Sequence, residues 1–227
     1  MKLAALISGG KDSLYAAYLA SKEHDIVYFI SMVSENPASY MFHFPNLHLV
    51  RTQASLVGVP LLEKKTKGEK ELELDDLEEA IASLKGEIDG VVTGALASSY
   101  QKTRIDSICK RHDLLSIAPL WHRDPAEYLH SALRDNFEII YVGVAAPPLD
   151  EKWLGRKLDE QVIEELITLN KKHGIHIGGE GGETDTFVLD CPMFLKKIQV
   201  VHAQKNWSAK ERSGTFDISE IRLIDKT

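Results

Sequence analysis

The residues with the clearest chemical potential lie near the N-terminus, in Ser8-Gly9-Gly10-Lys11-Asp12-Ser13. They follow the apolar run Leu3–Ile7 and precede a helix-forming stretch, so the segment reads as a strand, a glycine turn and a helix start. That arrangement builds an anion site. Glycines let the backbone approach an anion with no Cβ in the way. The N–H groups that open a helix have no intrahelical partner and point at whatever sits there. Lys11 adds a point charge, and Ser13 a hydroxyl in the first turn. A Walker A loop is excluded, because Gly10-Lys11 is followed by Asp12 where that motif needs Ser or Thr. The plain alternative, a Gly-Gly turn before an ordinary helix, leaves the joint register of strand, turn, Lys and Ser unexplained.

A second cluster, Gly178-Gly179-Glu180-Gly181-Gly182-Glu183, puts four glycines and two carboxylates in six residues. Glycine-rich backbone invites another molecule close by. The acids can hold Mg²⁺, which commonly takes one or two carboxylates plus phosphate oxygens. They can equally orient an amine or accept its proton. A loop with solvated acids is the plain alternative, and the phosphate cradle upstream favours a functional reading. Between the two clusters, Gly94–Arg104 is a small-residue turn feeding a polar helix. His173 and His176 are expected as residues of a helix C-terminus, since a zinc site needs more ligands of suitable spacing.

The elements that must position these residues follow from periodicity. Expected strands are Leu3–Ile7, Ile26–Val33, Pro60–Lys65, Asp89–Gly94 and Leu114–Ala118. Helices Ser13–Lys22, Leu47–Val57 and Asp75–Leu84, and the polar helix fed by the Gly94–Arg104 turn with Ile105, Ile108 and Cys109 on its buried side, alternate with them. Leu77, Ala80, Ile81 and Leu84 show the i, i+3, i+4, i+7 spacing of a buried helix face. Strand–helix alternation with right-handed crossovers gives a parallel sheet covered on both faces. With order 3-2-1-4-5, strands one and four meet at the switch point, and the Ser8–Ser13 loop faces the Gly94–Arg104 turn across one crevice. Asn36-Pro37 ends the second strand, and the aromatic loop Ala38–Asn46 lies at its ligand-side end. After Trp121 the rhythm changes. Asp124-Pro125 caps a helix Ala126–Asp135, Phe137–Val144 is a strand, and Asp159–Lys172 is an amphipathic helix. Thr186–Leu189, Leu195–Ala203 and Phe216–Ile224 read as strands of a smaller, more antiparallel region. The expected division is residues 1–122 and 123–227.

Composition bounds the function. The 227 residues are 44% hydrophobic, with no apolar run approaching a membrane span. No signal peptide is apparent, and Cys109 and Cys191 form no C-x-x-C, so a cytoplasmic protein with two reduced thiols is expected. A net charge of −7 argues against a large nucleic-acid footprint. The densest charge, in Lys67–Asp89, reads as a solvated helix face and flanking loop.

The pattern S-G-G-x-D-S after a first strand resembles the pyrophosphatase loop of the adenine nucleotide α-hydrolase-like superfamily, which binds ATP and typically cleaves it to AMP and pyrophosphate. Taken in order, Ser8–Ser13, Gly94–Arg104, Trp153-Leu154-Gly155-Arg156, Glu180-Gly181-Gly182-Glu183 and Phe187-Val188-Leu189-Asp190-Cys191-Pro192 resemble the diphthine–ammonia ligase family in its short archaeal-type form. The likeness covers nearly the whole chain; it departs at Thr184-Asp185, where the family usually carries an aromatic and a glutamate. The resemblance implies an α/β fold with a five-stranded Rossmann-like (HUP-type) sheet and a smaller C-terminal α+β domain. It also implies an AMP- and pyrophosphate-releasing ligase that amidates the diphthine carboxylate of elongation factor 2 through an acyl-adenylate.

Residue roles follow from the resemblance. Ser8, Gly9, Gly10 and Ser13 are expected around the β- and γ-phosphates, Lys11 at the α–β bridge, and Asp12 ordering the loop or holding Mg²⁺ through water. Backbone at Ser31, Met32 and Val33 is expected to read adenine. Gly94 is expected to pass the ribose and α-phosphate, with Tyr100, Gln101 and Arg104 nearby. Glu180 and Glu183 are expected as catalytic residues of the second step. Asn36, Arg156, Gly181, Gly182 and Glu183 are expected on the substrate side, Arg156 having a surface salt bridge as its alternative. The implied cofactors are ATP and Mg²⁺, and the partners elongation factor 2 and ammonium, with neither a membrane nor direct nucleic-acid contact. A homodimer is compatible with the sequence. Two rival readings remain: a tRNA-modifying adenylating enzyme with the same loop, and an ATP-holding sensor of universal-stress type.

Overall fold

A computed structural model describes residues 1–34, 45–67 and 72–226. The expected substrate residue Asn36 and most of the aromatic loop lie outside the described residues. The chain divides into two compact units, Met1–Trp121 and His122–Thr227.

The first unit is a parallel sheet of β1 (Lys2–Leu6), β2 (Asp25–Ser34), β3 (Leu61–Thr66), β4 (Gly90–Val92) and β5 (Leu115–Ile117). The strand order is β3-β2-β1-β4-β5, as the strand–helix alternation predicts. Helices α1 (Lys11–Ser21), α2 (Val50–Val57), α3 (Leu72–Ala82) and α4 (Ser99–Arg111) connect the strands. On one face, Ala4, Ile30, Met32 and Val91 pack against Leu77, Ala80 and Ile81 of α3 and Ile105, Ile108 and Cys109 of α4. Each large aliphatic side chain buried there contributes about 1.5–3 kcal/mol relative to exposure. Strand residues alternate faces, so Phe29 and Ser31 turn to the opposite side of β2.

Helix starts differ from the sequence reading: α1 begins at Lys11 rather than Ser13, and α3 at Leu72 rather than Asp75. Leu47–Leu49 is a turn of 3₁₀ helix, and α2 proper starts at Val50. The polar helix fed by the Gly94–Arg104 turn starts at Ser99, where the Ser98 hydroxyl caps it by accepting from Gln101 N at 3.4 Å. Capping at Ser98 leaves Gly94–Ser98 as a separate turn at the end of β4.

The second unit is an antiparallel sheet of β6 (Glu138–Val144), β7 (Thr184–Asp190), β8 (Lys197–Ser208) and β9 (Ser213–Ile224), in the order β7-β6-β9-β8. It carries α5 (Pro125–Arg134) and α6 (Glu160–His173). Asp124 and Asp159 cap these helices, accepting from Glu127 N and Val162 N, each at 2.8 Å. Gly174, at φ 72°, closes α6 in the left-handed region that glycine tolerates. The β8–β9 hairpin pairs from Lys197↔Ile224 to Ser208↔Ser213, extending beyond the expected strand ends at its turn.

Candidate active site

The loop between β1 and α1 is braced from three sides. Ser13 Oγ accepts from Ser8 N at 3.2 Å and donates to Gly10 O at 3.1 Å. Gly10 O also receives the first helical bond, from Leu14 N at 3.2 Å. Gly9 stands at φ 87°, a conformation that side-chain-bearing residues rarely adopt. Its carbonyl accepts from the Gln53 side chain of α2 at 3.1 Å. At the N-cap, Gly10 has no side chain to cap the helix, so the first-turn N–H groups receive no cap from it. The serine hydroxyl expected to meet phosphate is therefore first a loop brace.

Lys11 is the charged centre of this loop. Only 2% of it is exposed, and its ammonium donates to Asp12 Oδ2 at 2.9 Å. A buried cation is tolerable when paired and hydrogen-bonded. Asp12 itself keeps a third of its side chain exposed.

Opposite this loop lies the turn after β4. A Cβ on Gly94 would come within 2.6 Å of Asp12 C and Ser13 N. No side chain fits there, so the turn lies directly against the first turn of α1. The sequence places Gly94 against the ligand; the structure gives its missing side chain a different cause, helix backbone. The two segments meet because β1 pairs with β4 at Leu3↔Gly90 and Ala5↔Val92, which is the switch point. From α4, the Arg104 guanidinium stacks on the Tyr100 ring at 3.4 Å. Ser31, Met32 and Val33 lie in β2, with Ser31 almost fully buried. Its hydroxyl has no hydrogen-bond partner among the described residues.

In the second unit, the glycine cluster is tied shut around one histidine. His176 Nδ1 accepts from Gly178 N at 3.1 Å and from Glu180 N at 3.3 Å, while His176 N donates to Glu183 Oε1 at 2.8 Å. The expectation that His176 is a helix residue is corrected: α6 ends at His173, and Gly174 turns the chain so that His176 becomes the hub of the loop. Glu183 folds back over Gly181, and its Oε2 is buried without a hydrogen-bond partner among the described residues. Thr184 and Asp185 open β7, with the Thr184 hydroxyl against Gly179 and the Asp185 side chain across Gly143.

Trp153-Leu154-Gly155-Arg156 lies along β6. Gly155 N donates to Tyr141 O at 2.8 Å, and Tyr141 N to Arg156 O at 3.0 Å. Trp153 meets Tyr141 edge-on at 5.3 Å. Arg156 pairs with Glu165 Oε2 at 2.7 Å and lies over the Trp153 ring at 4.7 Å. Its salt-bridge alternative is thus realised, and the segment is built into packing.

Burial pushes the Cys109 thiol up to about 11 and the Cys191 thiol up to about 12. Neither is a ready nucleophile. Among the described residues, no group of three or more His, Cys, Asp or Glu is placed to hold a metal, and no helix is long and apolar enough to cross a membrane.

Residues 1–116 match the diphthamide synthase N-terminal domain, and residues 124–224 match the diphthamide synthase C-terminal domain. The chain belongs to the diphthamide synthase family. Among curated relatives, the diphthine–ammonia ligase of Danio rerio is 36% identical over 254 residues, covering 100% of this chain and 98% of its own. The Rattus norvegicus diphthine–ammonia ligase is 38% identical, covering 88% of this chain and 83% of its own. That of Saccharomyces cerevisiae is 32% identical, with 35% of its length matched. A solved structure described as a predicted subunit of tRNA methyltransferase from Methanocaldococcus jannaschii gives a TM-score of 0.46 at 16% identity, over 85% of this chain and 98% of that one. This likeness is too loose to bear on function. The two family matches thus fall on the two units of the chain, one on each.

Proposed function

We propose that this chain is a diphthine–ammonia ligase. It activates the diphthine carboxylate of elongation factor 2 with ATP and passes the acyl group to ammonia, giving diphthamide, AMP and pyrophosphate. The observation that carries this reading is the end-to-end match to a relative of that name. A carboxylate is a poor electrophile at neutral pH, so it must first be activated. Its oxygen attacks the α-phosphorus of ATP and the α–β bridging bond breaks, releasing pyrophosphate. Ammonia then attacks the acyl carbon and loses a proton, and the bond between that carbon and the phosphate oxygen breaks, its electron pair leaving with AMP.

In this scheme Ser8, Gly9, Gly10 and Ser13 hold the β- and γ-phosphates. The desolvated charge of Lys11 stabilises the negative charge that develops at the α–β bridge. Backbone at Ser31, Met32 and Val33 holds adenine, while Gly94, Tyr100, Gln101 and Arg104 line the ribose and α-phosphate side. Asp12, a partly exposed carboxylate, would hold Mg²⁺ through water, and the ion would neutralise charge on the phosphates. Glu180 and Glu183 serve the second substrate by steering ammonium or taking its proton, with Gly181 and Gly182 giving backbone access. Arg156, partly exposed and oriented by Glu165, stands on the substrate side. The two thiols, held protonated by burial, favour this reading over sulfur transfer.

The test is to mix the protein with ATP, ammonium and elongation factor 2 carrying diphthine. Mass spectrometry should show the acid-to-amide change on the modified histidine, matched by AMP. Formation of ADP, or product that does not depend on ammonium, would sink the assignment.

A further inference from the structure

Gln53 is fully buried on α2, yet it is polar and has no part in the scheme above. Its side chain crosses 44 residues of sequence to reach Gly9 O at 3.1 Å. A carbonyl only accepts, so the atom facing it is the amide nitrogen, Nε2. The peptide group explains why this bond matters. A trans peptide is planar, and its C=O and N–H point in opposite directions. Gln53 draws the Gly9 carbonyl towards the buried side of the loop, so the Gly10 N–H of the same peptide points the other way. Gly9 is buried and Gly10 half-exposed, consistent with that direction. Both residues that flank this peptide are glycines, so no Cβ restrains the Gly9 ψ and Gly10 φ that a flip would change. Ser13 braces the next carbonyl, Gly10 O, whereas Gly9 O is held by Gln53.

We infer that Gln53 is a positioning residue for the nucleotide phosphates: it locks the Gly9–Gly10 peptide with the Gly10 N–H aimed at the anion. The inference rests on the reading of Ser8–Ser13 as an ATP loop. Adenosine has no phosphate, so its affinity does not depend on this peptide. ATP affinity does.

The experiment measures dissociation constants for Mg-ATP and for adenosine in the intact wild-type protein, Gln53→Met, Gln53→Glu and Lys11→Ala. Gln53→Met keeps side-chain length and removes the donor. Its ATP affinity should fall about tenfold, the scale of one oriented hydrogen bond, with adenosine affinity unchanged. In Gln53→Glu an ionised carboxylate opposes the Gly9 carbonyl, and a protonated one can donate to it, so ATP affinity relative to adenosine should recover as pH falls. Equal losses for ATP and adenosine, or wild-type ATP binding in Gln53→Met, would overturn the inference. Wild-type protein that binds no ATP, or Lys11→Ala that binds it undiminished, would instead overturn the reading of the loop. Amide exchange at Gly10 in the wild-type protein decides the matter even if the variants fail to fold. Fast exchange in the free protein and protection by Mg-ATP but not adenosine is expected; protection already present in the free protein refutes the inference.

Discussion

Lys11 brings its charge to the loop between β1 and α1 already stripped of water, with Asp12 as its partner. A preorganised, desolvated cation costs no reorganisation at the moment of reaction, so its removal should act on turnover more than on folding. Lys11→Ala is expected to lower AMP release by about 10²-fold or more, with its circular dichroism unchanged; unaltered turnover would remove Lys11 from the mechanism. Glu183 presents a finer case. One carboxylate oxygen accepts from His176 N and the other is unpartnered among the described residues. Gln in its place keeps an acceptor for His176 and removes the charge. Glu183→Gln should therefore hold its melting temperature and lose at least about 10²-fold in amide formation, as followed by ammonium-dependent product. Loss of melting temperature with turnover retained would make Glu183 a structural brace only. At this scale, the strand, glycine turn and helix start around Ser8–Ser13 were legible from residue type and local spacing. Sequence reading missed Gln53 and misjudged His176, because their partners are set by the fold and by a helix end rather than by spacing.

The elements were more legible than the contacts between them. Strand–helix alternation suffices for a parallel sheet, and order β3-β2-β1-β4-β5 puts the two loops together. What no pattern revealed is that the β4 turn touches α1 through backbone. Gly94→Ala tests that contact. An added Cβ 2.6 Å from Ser13 N must push the turn or the helix aside, costing about 1–3 kcal/mol by overpacking. Thermal unfolding should show that loss, and ATP affinity should weaken with it; a variant with unchanged stability would mean the two segments separate freely. Helices α3 and α4 are joined differently. Arg111 and His112 at the end of α4 both bind Glu78 of α3. The Arg111 guanidinium, with a further bond from His112, lowers the Glu78 carboxyl from 4.5 to about 2 despite partial burial. A group whose pKa is depressed by folding adds stability above its unfolded value, and that stability is lost as pH falls towards the folded value. The melting temperature should thus drop more steeply between about pH 5 and pH 3 in the wild-type protein than in Glu78→Gln. Parallel curves would show that the pair contributes nothing.

Across the whole molecule, the question is where the nitrogen comes from. Many amide-forming chemistries draw ammonia from glutamine through a cysteine thiolate, and the thiolate is the nucleophile. This chain has two cysteines. One sits in each compact unit, Cys109 at the buried face of α4 and Cys191 after β7, and both are almost fully buried. Desolvation is the largest cause of the upward shift in both, to about 11 and about 12. At pH 8 a thiol with a pKa near 11 is ionised in only about one molecule in a thousand. Burial therefore disfavours both thiols as glutamine-cleaving nucleophiles. Two measurements follow from this one argument. Thiol reagents should label neither cysteine in the native protein at about pH 8 and both after denaturation. In the complete reaction, glutamine at the concentration that saturates with ammonium should give no amide, and the double variant Cys109→Ala, Cys191→Ala, if folded, should keep its ammonium-dependent turnover. Glutamine-driven product that disappears in the double variant would show that burial does not silence these thiols, and the source of nitrogen would have to be sought at one of them.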